Sequence, residues 1–369
     1  MKELAFLFLK LGTTAFGGPA AHIAMMEEEV VRRRQWLTRE EFLDLLGATN
    51  LIPGPNSTEM AIHIGARRAG FPGLLVAGLC FILPAMSIVL ICASAYVKFG
   101  KLPQAEGILY GVKPVIIAVV FQALWGLGKT AIKSRALAIL TVGVVAGYAA
   151  GLPELLLLLV AGGAMIVSKR ALAAVAVPTP FLASFAALSG AGAAGSGPLG
   201  LFLSFLKIGS VLYGSGYVLL AFLRSEFVEH GGWLTEAQLL DAVAVGQITP
   251  GPVFTTATFI GYLRYGITGG IVATVGIFLP AFFFVALCGP LIPRIRKSPS
   301  AGAFLDGVNA ASLALMIVVT AQLAVSALID LWTLALALGS GALLMRYRLN
   351  STWLVALGAG AGLLRLALR

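Results

Sequence analysis

Of 369 residues only 42 are Asp, Glu, Lys or Arg, which is 11%, against about 25% in a soluble domain. Hydrophobic residues make up 59%, and adding the 44 glycines brings the apolar share to about 71%, where soluble chains average about 45–50%. One core cannot hide that much apolar surface, so soluble enzymes, nucleic-acid binders and disordered scaffolds are excluded and a lipid-embedded chain is predicted.

The net charge of +10 comes from 26 Lys and Arg scattered between apolar runs, a pattern that sets membrane orientation and does not mark a nucleic-acid face. The length allows roughly 12 crossings at about 25–30 residues each. Cys80, Cys92 and Cys288 sit inside apolar runs with no metal spacing and read as buried small hydrophobes. No metal and no cofactor are expected.

In chain order, an apolar run at 4–16 stops at Gly17-Gly18-Pro19 and resumes at 20–31. That is not a signal-peptide cleavage pattern, so the segment is expected to remain. A basic loop with Arg32, Arg33, Arg34 and Arg39 follows, and Glu28 is spaced to pair with Arg32. The run 42–52 breaks at Pro53-Gly54-Pro55 before 56–66. Residues 71–97 and 112–128 are long enough to span, and 136–150 with 154–167 form a short hairpin around Gly151-Leu152-Pro153.

The second half repeats the first. At an offset of 197, Lys10 falls on Lys207, Glu29 on Glu226, Trp36-Leu37-Thr38 on Trp233-Leu234-Thr235, Asp44 on Asp241, and Pro53-Gly54-Pro55 on Pro250-Gly251-Pro252. After one deletion the offset is 196, and Gly65 meets Gly261, Gly70 meets Gly266 and Pro84 meets Pro280. The expected organisation is a first repeat at 1–170, a linker at 171–197 that could hold one extra span, and a second repeat at 198–369. The fold class predicted is an all-α polytopic membrane protein with two homologous repeats of inverted topology and broken, re-entrant half-helices.

An 11-residue helix reaches only about 16 Å, half the hydrocarbon core. Helices that meet at Pro-Gly-Pro therefore stop inside the membrane, where open backbone is tolerated only if protein buries it or water reaches it. Interrupted segments at matching positions of two halves point to a transporter's binding site. The loop before Trp36 is basic and its mate before Trp233 carries Glu226, Glu229 and His230, with Glu236 just after it. The positive-inside rule then places 30–41 in the cytoplasm and 228–236 outside.

Phe16-Gly17-Gly18-Pro19, Trp36-Leu37-Thr38, Asp44, Pro53-Gly54-Pro55 and Gly65, in a two-copy membrane chain, resemble the chromate ion transporter (CHR) family, in particular its bidomain, ChrA-type efflux form. The resemblance covers nearly the whole chain. It departs where Tyr213-Gly214-Ser215-Gly216 replaces Phe-Gly-Gly-Pro. It implies a multi-pass protein of the cell membrane that exports chromate, coupled to the proton-motive force or to ion exchange. Sulfate is the expected competitor, and a homodimer is expected by analogy with other repeat transporters. A sulfate or other oxyanion transporter of the same build, or a passive anion channel, is the alternative. An enzyme is not expected, because His22, His63 and His230 lie far apart in the repeat frame, and ATP-driven pumping is not expected, because there is no Walker loop.

A tetrahedral dianion needs donors and positive potential, which a helix N-terminus inside the membrane supplies. Asn56, Ser57 and Thr58 follow Pro55, and Thr255 and Thr256 follow Pro252. Ala20 follows Pro19, where Gly17 and Gly18 let a ligand approach the backbone, with Gly214 as the mate of Gly17. The hydroxyls and the amide can instead be ordinary caps. Lys10 and Lys207, at membrane depth, either neutralise substrate or pair with a carboxylate. Glu59 and His63, four apart on one face, and His22 are candidates for carrying a coupling proton; their alternative is to face water at a hairpin end.

Overall fold

A computed structural model describes residues 1–100, 102–168, 197–213, 218–288, 298–347, 349 and 351–368. The linker at 171–196, Gly214 and the basic loop around Arg294 and Arg296 lie outside the described residues. Among those described, all regular structure is helical. The first half contains α1 (Lys2–Thr14), α2 (Gly18–Glu27), α3 (Arg39–Thr49), α4 (Asn56–Phe99), α5 (Pro103–Ala131), α6 (Arg135–Ala149) and α7 (Glu154–Ser168). The second contains α8 (Pro198–Val211), α9 (Leu219–Leu223), α10 (Glu236–Ile248), α11 (Thr256–Cys288), α12 (Pro299–Ala327), α13 (Leu331–Tyr347) and α14 (Ser351–Ala367). Each helix has its mate seven places on. Among the described residues, four stretches are long and apolar enough to cross a membrane, namely α4, α5, Val253–Leu287 and α12.

The recurring Trp-Leu-Thr motif starts a helix in both halves. Thr38 accepts from the Glu41 amide at 3.2 Å while the Glu41 carboxylate accepts from the Thr38 amide at 2.9 Å. Thr235 and Gln238 repeat this reciprocal cap at 3.1 and 3.0 Å. The tryptophans hold the next element. Arg68 lies over the Trp36 ring at 5.1 Å, and Arg264 over Trp233 at 5.0 Å.

Those arginines mark the tips of hairpins. α4 reverses at Ala69–Gly70, where Gly70 has φ 61°, and α11 reverses at Tyr265–Gly266, where Gly266 has φ 60°. A left-handed turn of this kind favours glycine. The limbs touch along glycine: a Cβ on Gly65 would overlap the Gly73 carbonyl, and one on Gly261 the Gly269 carbonyl. Residues 56–68 are thus a half-helix, and 71–99 carries the chain across.

The halves run in opposite directions. Gly78 packs against Phe282 and Gly270 against Leu90, so α4 and α11 are antiparallel. Lys133, just past α5, reaches Asp306 near the start of α12 at 3.2 Å, and Tyr110 near the start of α5 bonds Asp330 just past α12 at 2.7 Å. Each half also lends its last hairpin to the other. α13 and α14 pack on α5, while α6 and α7 pack on α12. Gly107 and Gly111 meet Gly358 and Gly362 at one crossing, and Gly307 meets Ala161 and Gly162 at its mate. Small residues let helix backbones approach closely where lipid provides no hydrophobic drive. Leu75, Leu79 and Leu83, with their mates Ile271, Val275 and Leu279, form exposed apolar stripes at helical spacing, as lipid contact requires.

Candidate functional site

The breaks converge on one cavity of about 720 Å³. From the first half come Gly17, Pro19 and Ala20 at the start of α2, Asn50 at the end of α3, and Pro55, Asn56 and Ser57 at the start of α4. The second half adds Val218, Pro252, Val253 and Phe254. The wall consists of α5 and its end, with Gly126, Thr130 and Lys133, and of α12, with Asn309 and Ser312. Because Arg68 fixes the hairpin tip beside the basic loop, limb 71–99 leaves that face and α5 returns to it. Lys133 therefore lies on the basic side, and the cavity runs from the Pro-Gly-Pro breaks toward that side.

Neither α2 nor α4 has a side-chain cap. The Thr58 amide is taken by the Pro55 carbonyl at 2.8 Å, which leaves the Asn56 and Ser57 amides as first-turn donors with no place in the helix ladder. The Asn56 side chain donates to Asn50 Oδ1 at 3.0 Å, and Asn50 donates to the Leu46 carbonyl at 3.1 Å. Asn56 is thereby aimed by its neighbour. Ser57 and Thr58 are buried, and the Thr58 hydroxyl has no partner among the described residues.

Gly54 and Gly251 of the two breaks are engaged across the repeat. The Gly54 amide donates to the Leu212 carbonyl at 2.8 Å, and the Gly251 amide to the Ala15 carbonyl at 3.0 Å. Thr255 and Thr256 return their hydroxyls to the Pro252 and Val253 carbonyls, at 2.9 and 2.8 Å. They cap their own turn and do not line the cavity.

Lys10 and Lys207 also lie away from the cavity lining. Of the two readings open to them, the geometry carries the carboxylate pairing: Lys10 meets Glu29 and Lys207 meets Glu226, both at 3.0 Å. Ser204 donates to Glu226 at 2.7 Å, and Arg34 adds to Glu29 at 3.1 Å. Glu28 pairs with Arg32 at 3.5 Å, as its spacing predicts.

Glu59 and His63 do not face water. Glu59 is fully buried, and neither carboxyl oxygen has a hydrogen-bond partner among the described residues. Its carboxyl lies against Gly54, where a Cβ would strike it. His63 is buried with Nε2 unpartnered. His22 Nε2 donates at 3.1 Å to the same Ala15 carbonyl that accepts from Gly251, and its ring stands edge-on to Phe81. A carbonyl only accepts, so Nε2 carries the proton. None of the three lines the cavity.

Sequence reasoning did not single out Lys133, Asn309 or Ser312. The repeat held a signal for Asn309: its mate is Lys113, a charge inside an apolar segment. No local pattern brings α5 and α12 together as the wall.

A family model described as chromate transporter matches residues 2–167 and 199–363. A chromate transport protein of Cupriavidus metallidurans is 33% identical over 94% of this chain and 88% of its own length. One of Pseudomonas aeruginosa is 32% identical over 87% of this chain and 80% of its own. An uncharacterized transporter of Bacillus subtilis is 31% identical over 36% of this chain and 72% of its own, the scale of a single repeat. No solved structure matches.

Proposed function

The chain belongs to the chromate transporter family, and from that premise and the geometry of the cavity we propose that it exports chromate from the cytoplasm as a secondary active transporter of the cell membrane. The observation that carries the reading is the cavity itself, which joins the uncapped N-termini of α2 and α4 to the basic face. Under the positive-inside rule that face is cytoplasmic, so the cavity is open where an exported anion would enter.

The oxyanion sits against the amides of Ala20, Asn56 and Ser57, with the Asn56 and Ser57 side chains as further donors. Gly17, Gly18 and Pro19, with Pro53, Gly54 and Pro55, set that backbone, and Pro250, Gly251 and Pro252 close the site from the other half. The helix dipoles oppose the cargo's two negative charges, and Lys133, paired with Asp306, lines the basic side of the cavity. The donors recognise a tetrahedral dianion by shape and charge, so sulfate competes. Glu59, with His63 one turn further on, carries the coupling proton, and His22 stands at the Ala15 carbonyl that holds the second break. A charged or polar group held at membrane depth is functional by default, and Glu59 is buried, unpartnered and in contact with the break.

Everted membrane vesicles test the proposal. Chromate should accumulate against its gradient when the vesicles are energised, sulfate should compete, and a proton uncoupler should collapse the gradient. Flux that only equilibrates chromate and ignores the uncoupler makes the protein a passive channel.

A further inference from the structure

The two repeats are related by symmetry in sequence but not in exposure. In the second half α10 is buried over most of its length beyond the first turn and packs against α5, α12 and α14. Its mate α3 packs chiefly on α4, and Leu43 is 49% exposed where its mate Leu240 is fully buried. The cavity-lining Ala123, Leu127 and Ser312 correspond to Val319, Leu323 and Ile116, all buried and packed in the core. One face of a pseudo-symmetric site is therefore open under α3 and the other is shut under α10.

The repeat also says what the shut face holds. The mate of cavity-lining Asn309 is Lys113. Lys113 pairs with Asp241 of α10 at 3.2 Å, their side chains 19% and 4% exposed. Tyr96 donates to the same carboxylate at 2.9 Å. A lysine at this depth needs an anion beside it, and here the anion is a carboxylate on the helix that shuts the face.

We propose that Lys113 is the cation that meets the oxyanion when the site opens to the acidic, external face, and that Asp241 stands in for the cargo until it does. Swinging α10 to the position α3 holds withdraws Asp241 and bares Lys113 where Asn309 is bared now. The cargo then replaces the carboxylate and is released when α10 closes again. The inference rests on the transport reading above and assigns it a residue specific to one face.

The test uses membrane vesicles of both orientations holding the full chain, with the chromate concentration for half-maximal exchange measured at each face. Lys113→Gln should raise the external value relative to the cytoplasmic value by at least about tenfold, the scale of one charged hydrogen bond. Lys113→Arg should shift the ratio less. If Lys113→Gln does not fold, Lys113→Gln combined with Asp241→Asn removes both charges together, and the same ratio is read. A folded variant with an unchanged ratio between faces overturns the proposal, as does a loss equal at both. Wild-type vesicles with no chromate flux overturn the transport reading instead, so the two failures are distinct.

Discussion

Gly54 donates its amide hydrogen to the carbonyl oxygen of Leu212, and its repeat mate Gly251 donates to Ala15. Leu212 and Ala15 are the residues that end α8 and α1, so each Pro-Gly-Pro break closes a helix end of the opposite half. A helix terminus in an apolar medium must find such partners. The breaks are therefore one structure shared by two repeats, and neither repeat completes it alone.

Substituting either glycine should cost stability. Gly54 has φ 140° and Gly251 φ 89°, which side chains rarely adopt, and a Cβ would strike Glu59 at the first position and Ala85 at the second. Strain of this kind costs about 1–3 kcal/mol and overpacking about as much again. Gly54→Ala and Gly251→Ala should each lower the melting temperature of the detergent-solubilised protein by several degrees. Melting curves that overlay the parent would show that these backbones are free to adjust.

Asn56→Ala and Ser57→Ala should weaken chromate transport while leaving the fold intact. A hydrogen bond to a charged group is worth about 1.5–3 kcal/mol, so the half-saturating concentration should rise roughly ten- to a hundredfold. Asn50→Ala should give a smaller loss in the same direction, since it only releases the hold on Asn56. Concentration dependence in everted vesicles reads all three. Wild-type kinetics in Asn56→Ala and Ser57→Ala would remove the half-helix start from the binding site.

The matched pairs Lys10–Glu29 and Lys207–Glu226 should behave as braces between α1 and the turn after α2, and between their mates. Breaking a fully buried pair from one side costs about 3–5 kcal/mol, and these part-buried pairs should cost less, whereas replacing both charges with apolar groups is often neutral. Lys207→Met should therefore melt far earlier than Lys207→Met with Glu226→Leu, and the double variant should still transport. Glu29 adds a pH signature. Burial alone would raise its carboxyl, but the hydrogen bond and charge of Lys10, with Arg34 and Arg33, hold it below the ordinary range. A depressed carboxyl contributes stability above its unfolded value, about 4.3, and loses it as pH falls through the folded value. The melting difference between parent and Lys10→Met should accordingly close in acid below about pH 4. A difference that persists there would assign the brace to packing.

The repeat and the breaks were legible because glycine and proline act locally: Gly17-Gly18-Pro19 and Pro53-Gly54-Pro55 each interrupt a helix whatever surrounds them. The exchange of terminal hairpins was not read, although Gly107 with Gly111 and Gly358 with Gly362 carry the small-residue spacing of a close crossing. Lys10 and Lys207 were ambiguous because depth alone does not name a partner nineteen residues away. Lys133 was invisible, and Asn309 was marked only by its mate Lys113, because the cavity wall arises only when α5 and α12 pack antiparallel.

Glu59→Gln should separate coupling from binding. The carboxyl is fully buried, has no hydrogen-bond partner among the described residues, and rests on Gly54 one turn inside the half-helix. Were it a structural anchor it would be bonded, as Asp241 and Glu226 are. A buried carboxyl that exchanges its proton can switch the polarity of the break between two conformations, and glutamine preserves its shape while fixing it neutral. Chromate exchange at equal pH should persist in Glu59→Gln, whereas accumulation driven by a pH gradient should fall to the level seen with uncoupler. His63→Asn should slow the pH-driven mode with a smaller effect. Undiminished pH-driven accumulation in a folded Glu59→Gln protein would place the proton path elsewhere in the chain.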